Sequence, residues 1–125
     1  MSKRVFAVLT IAGALMGASA IAAAADPPAR TPELIEKGKA SFARNCVACH
    51  GEKGEGNGPA AGALDPKPRN LAAARIEGGP NAIFKVLTTG KKGTAMIAFT
   101  HLSEEERWAL AYFVDGLAGK ADARK

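Results

Sequence analysis

The sequence predicts an all-α domain behind a short leader. Three observations carry that reading. Apolar residues recur at helical spacing in three segments. No segment alternates at the period of two that a strand needs. The stretches between the helical segments are rich in Gly and Pro.

The leader is expected over residues 1–25. Lys3 and Arg4 give a basic start, Val5 to Ala25 carries no charge, and Ala23 and Ala25 fit an A-x-A cleavage pattern before Asp26. An uncleaved anchor is the competing reading, because 21 uncharged residues are just enough to span a bilayer. The Ala/Gly/Ser-rich second half favours cleavage. Removing the leader leaves 125 − 25 = 100 residues, room for one domain. Two of the 17 Lys+Arg and none of the 12 Asp+Glu go with it, so the net charge becomes 15 − 12 = +3. The basic residues are scattered among acids. That argues against a nucleic-acid surface, which needs a denser stripe. It suits steering toward an acidic protein partner.

Residues 26–31, with Pro27 and Pro28, read as an extended arm. Thr31 and Pro32 read as N-cap and first helical residue. Ile35, Gly38, Phe42 and Cys46 then fall on one face, which predicts a helix over about 32–47. Five Gly and three Pro between Gly51 and Pro68 predict a long loop, of the length that wraps around something or carries function. Pro80 starts a second helix, with Ile83, Val86 and Leu87 on one face and Gly90 as its stop. Ser103 and Glu106 form a capping box for a third. Its apolar face is Trp108, Ala109, Tyr112, Phe113 and Leu117, and it is expected to stop before Lys120. The domain is therefore expected over 32–119, with a tail at 120–125.

The chemistry concentrates in "NCVACHG", Asn45 to Gly51, which holds both cysteines of the chain and one of its two histidines. A hundred-residue chain with few aromatics builds a thin core. One disulfide across a two-residue gap would do little to brace it. Cys46, Cys49 and His50 match C-x-x-C-H, the attachment signature of c-type haem. Sulfurs one helical turn apart suit two thioether bonds on one edge of a porphyrin, and the next residue suits the iron. A large apolar haem would also supply the missing core. Other uses compete. A thioredoxin-type dithiol belongs at a strand–helix junction, and no strand pattern is present. A zinc site from Cys46, Cys49, His50 and His101 has the right number of ligands, but adjacent Cys49 and His50 suit a tetrahedron poorly. For the second axial position, Met96 is the one Met outside the leader and lies 46 residues after His50 in a Gly/Thr loop. His101 is the rival.

With these residues in place, the chain resembles the small monohaem class I cytochromes c of the bacterial periplasm. The resemblance covers about 31–118. It rests on "IEKGKASFARNCVACHG", "GEGNGPAAGALDPKPRNL", "GKKGTAMIAF" and "LSEEERWALAYFVDGL". It implies three to five helices wrapped around one covalently bound haem c, held through Cys46 and Cys49 with His50 and Met96 as iron ligands. It implies crossed first and last helices, meeting near Gly38 and Phe42 on one side and Tyr112 or its neighbours on the other. The family's axial Met usually precedes Pro; here Ile97 follows Met96. The family's proximal His donates to a Pro carbonyl, for which Pro59 is the best match and Pro66 and Pro68 are substitutes. Leu64, Phe84 and Phe99 are candidate haem-wall residues. Function follows as an expectation: a periplasmic electron carrier that cycles its haem between Fe(II) and Fe(III), not an enzyme with substrate chemistry of its own. Lys53, Lys91 and Lys92 would ring its docking face for acidic redox partners. The expected state is a monomer, with no nucleic acid and no membrane insertion after cleavage. The alternatives are a subunit that relays electrons within a larger oxidoreductase, and a gas-binding or peroxidatic haem protein.

Overall fold

The computed structural model describes residues 26–122. The expected leader and the last residues of the tail lie outside them. Among the described residues four helices follow one another: α1 (Pro32–Asn45), α2 (Val47–His50), α3 (Gly79–Thr89) and α4 (Glu104–Asp122). A 3₁₀ turn at Ala61–Ala63 interrupts the long loop. No strand occurs among the described residues.

Thr31 caps α1 as its sequence implies, its Oγ1 accepting from the Leu34 N–H at 3.2 Å. The helix expected to reach residue 47 breaks at Cys46, whose φ of −121° leaves the helical range. A local competitor accompanies the break. Asn45 Nδ2 turns back and donates to the Ser41 carbonyl at 3.0 Å and hydroxyl at 3.2 Å. The chain then re-coils for a single turn, α2, which carries the second half of the C-x-x-C-H motif.

α4 is the backbone of the fold. Trp108 to Asp115 is buried without interruption. Ser103 accepts from the Glu106 N–H at 3.1 Å, but the expected capping box is only half made. The Glu106 carboxylate crosses to α1 instead, accepting from Ser41 at 2.8 Å and Arg44 at 3.2 Å. α4 also runs to Asp122 rather than stopping before Lys120. Leu117 and Ala118 are buried, so packing carries the helix past Gly116 and Gly119.

α1 crosses α4 where Gly38 lies against the backbone carbonyl of Ala109. One turn on, the Phe42 and Phe113 rings meet at 5.3 Å. The neighbours of Tyr112 therefore make the crossing. Tyr112 itself faces the N-terminal arm and donates to the Pro28 carbonyl at 2.7 Å. Arg30 completes that attachment, pairing with buried Asp115 at 2.8 Å and donating to the Tyr112 carbonyl at 3.2 Å. α3 packs on the other side of α4 through Ile83, Leu87 and a Phe84–Trp108 stack at 4.1 Å.

Candidate haem site

α2 presents the motif on one turn. The Cys49 and His50 N–H groups both donate to the Cys46 carbonyl, at 3.2 and 2.8 Å, so the two thiols and the imidazole share one coil of backbone. Both cysteines are free thiols. Burial pushes the Cys46 thiol up to about 12, and the neighbouring Cys49 adds to the effect. A thiol so hard to ionise is the opposite of a thioredoxin-type nucleophile, which works by a depressed pKa. The zinc reading also lacks its geometry. Among the described residues no group of three or more His, Cys, Asp or Glu is arranged to hold a metal ion.

His50 is half-buried, and desolvation lowers its pKa while a hydrogen bond to Arg69 opposes the shift. Its Nδ1 lies 3.2 Å from the Arg69 carbonyl oxygen. A carbonyl only accepts, so Nδ1 carries the proton and the Nε2 lone pair stays open. The expectation named Pro59, with Pro66 and Pro68 as substitutes. The carbonyl that holds the ring belongs to Arg69, one residue beyond Pro68. Pro59 is exposed and borders a cavity with Val47, Gly51 and Asn57. The Arg69 carbonyl gave no signal in the sequence, because every residue has a carbonyl; the nearby Pro68 was the closest clue.

Met96 sits in the loop between α3 and α4. Gly90, at φ +69°, turns the chain out of α3. The Lys91 N–H then donates to the Met96 carbonyl at 2.9 Å, and the Met96 N–H to Thr94 Oγ1 at 3.1 Å. The Phe99 N–H closes the loop onto the Leu87 carbonyl at 2.7 Å. Met96 packs against the apolar cluster that includes Cys46, with Val47 and Leu71 at its edge. His101 points elsewhere: it is exposed and rests beside the Phe99 ring at 5.7 Å. Ile97, where the family usually has Pro, is 61% exposed. Of the candidate wall residues, Phe84 and Phe99 join the apolar cluster and Leu64 does not. Lys53, Lys91 and Lys92 are all exposed.

The donor set fits a c-type haem: two free thiols on one turn, an imidazole with Nε2 open, and a thioether sulfur on a loop that meets the same apolar cluster. The family model for cytochrome c matches residues 35–118. The chain belongs to the cytochrome c family. It is a small class I c-type cytochrome, a family that carries covalently bound haem and transfers electrons. The cytochrome is 33% identical over 90 residues to the cbb3-type cytochrome c oxidase subunit FixP of Rhizobium meliloti (strain 1021). It is 34% identical over 90 residues to the FixP of Sinorhizobium medicae (strain WSM419). Each match covers 70% of this chain and 29% of the relative, so the cytochrome spans under a third of those proteins. A solved structure, the Kuenenia stuttgartiensis reducing HAO-like protein complex Kustc0457/Kustc0458, superposes with a TM-score of 0.66 at 34% identity. That match covers 73% of this chain and 46% of the other.

Proposed function

We propose that this cytochrome is a periplasmic electron carrier with one haem c, ligated by His50 and Met96 and attached through Cys46 and Cys49. The observation that carries the reading is the α2 turn, where the His50 ring is anchored through Nδ1 on the Arg69 carbonyl. A haem bound there supplies one-electron Fe(II)/Fe(III) chemistry. The two cysteines fix its position. His50 offers Nε2 with a basicity raised by the Nδ1 hydrogen bond. Met96 is the second ligand because it packs inward on the shared apolar cluster, whereas His101 faces out. A Met ligand and an apolar wall both favour the reduced state. The fixed loop around Met96 keeps rearrangement small as the oxidation state changes. The exposed lysines Lys53, Lys91 and Lys92 face acidic redox partners and make association fast and salt-sensitive.

A second reading, a relay subunit in a larger oxidoreductase, draws support from the FixP relatives, which are oxidase subunits. Isolation from the native membrane and periplasm separates the two. A carrier runs alone on size exclusion; a relay subunit co-purifies with an oxidoreductase. Replacing Met96 with Ala tests the ligand set. The expected result is a high-spin spectrum with new carbon monoxide binding. An unchanged low-spin spectrum would remove Met96 and promote His101. Carbon monoxide binding by the unaltered protein would favour the gas-binding alternative.

A further inference from the structure

The carbonyl that orients His50 belongs to an arginine, not a proline, and this raises the question of what holds it still. Proline fixes its own φ; Arg69 does not. The structure answers with the glycine loop that follows the motif. The Gly56 N–H donates to the His50 carbonyl at 2.8 Å, and the Leu71 N–H donates to the Gly54 carbonyl at 2.6 Å. The first bond closes segment 50–56 back onto His50, and the second pins its Gly54 to the residue two beyond Arg69. Gly56 itself lies against the 68–69 backbone. A Cβ built on it would stand 2.5 Å from the Pro68 carbonyl oxygen and 3.3 Å from both the carbon and the oxygen of the Arg69 carbonyl. Its φ of +79° also belongs to glycine.

We infer that Gly56 is a positioning residue for the proximal ligand: its bare backbone sets where the Arg69 carbonyl stands and thereby the strength of the His50 Nδ1 hydrogen bond. The inference rests on His50 being the iron ligand. A side chain at 56 pushes the 68–69 backbone away and lengthens or breaks that bond. The imidazole then loses basicity and the oxidised state loses support, so the reduction potential rises.

The test uses the haem-loaded protein as Gly56→Ala and, as control, Gly78→Ala. Gly78 has a similar φ of +81° but caps α3, where its Cβ would meet only Ala82. Both variants carry backbone strain, and only one touches the Arg69 carbonyl. Two readouts are taken: the reduction potential, and the solvent exchange of the His50 Nδ1 proton by NMR of the ferrous protein. Gly56→Ala is expected to raise the potential and speed that exchange at least tenfold, and Gly78→Ala to change neither. Two results overturn the inference: a Gly56→Ala protein that is less stable with both readouts unchanged, or a Gly78→Ala protein that moves both equally. If Gly56→Ala retains no haem, the unaltered protein decides. Its Leu71 amide and His50 Nδ1 proton should then exchange together, and a Leu71 amide exchanging far faster refutes the coupling. Wild-type protein without covalent haem would instead refute the proposed function itself.

Discussion

Gly38→Ala puts the helix crossing under direct load. In an exposed helix interior this change stabilises by about 0.5–1 kcal/mol, because alanine restricts the unfolded chain and suits a helix. Here the new methyl meets the Ala109 carbonyl, with the carbonyl carbon at 2.5 Å and the Phe113 Cβ at 3.0 Å. Relaxed carbon contacts stand at ~3.5–4 Å. The obstacle is α4 backbone, which cannot rotate aside, so α1 must retreat by about 1 Å. A gap of that size forfeits a quarter to a half of each contact's dispersion energy. It also strains the Phe42–Phe113 contact and the part-buried Ser41–Glu106 bond beside it. Overpacking of this kind costs roughly 1–3 kcal/mol and can cost more against fixed backbone. Taking the upper end and subtracting the helix gain leaves a net loss of about 2 kcal/mol. For a domain of this size that lowers Tm by roughly 8–16 °C. Thermal and urea unfolding followed by far-ultraviolet circular dichroism read it out. A Gly38→Ala protein as stable as the wild type would show that the helices do not meet at this point.

Other consequences follow from particular contacts. Arg30→Ala strips buried Asp115 of its shorter ion pair, leaving Arg75 at 3.6 Å, and should cost about 2 kcal/mol in urea unfolding. Asp115→Asn should cost less, since the 41% exposed Arg30 side chain can turn to water. Tyr112→Phe, which deletes the bond to the Pro28 carbonyl, should cost about 1 kcal/mol by the same assay. Cys46→Ser and Cys49→Ser singly should each give the pyridine haemochrome of a haem with one thioether, and the double variant should retain no haem covalently. Lys91→Glu with Lys92→Glu should slow electron exchange with an acidic redox protein and flatten its dependence on ionic strength, read by stopped flow. Equal rates for variant and wild type would move the docking face away from this loop.

The parts of this protein that were legible in its sequence are those whose cause is local. The C-x-x-C-H spacing carries its chemistry within one helical turn, and Thr31 and Ser103 mark helix starts because a cap acts within three residues. The resemblance implied a crossing near Gly38 and Phe42, opposite Tyr112 or its neighbours, but the apolar pattern does not choose among those neighbours. Tyr112 and Phe113 are both apolar in pattern, and only the arm at Pro28 and Arg30 explains why Tyr112 turns away. The end of α4 was missed for a similar reason. The apolar face read from the sequence ends at Leu117, while burial of Leu117 and Ala118 carries the helix past Lys120 to Asp122. The Arg69 carbonyl was the least accessible feature. A backbone oxygen is common to all residues, so its role depends on the fold of the loop and not on the side chain attached.

Everything proposed for this chain depends on haem held covalently through Cys46 and Cys49. A visible spectrum and an alkaline pyridine haemochrome on the purified protein, taken after acid–acetone extraction, test it most directly. Haem should stay with the polypeptide and give a haemochrome of the two-thioether type and sharp low-spin bands. Haem that extracts into the acetone, or a colourless protein from cells able to attach c-type haem, would contradict it.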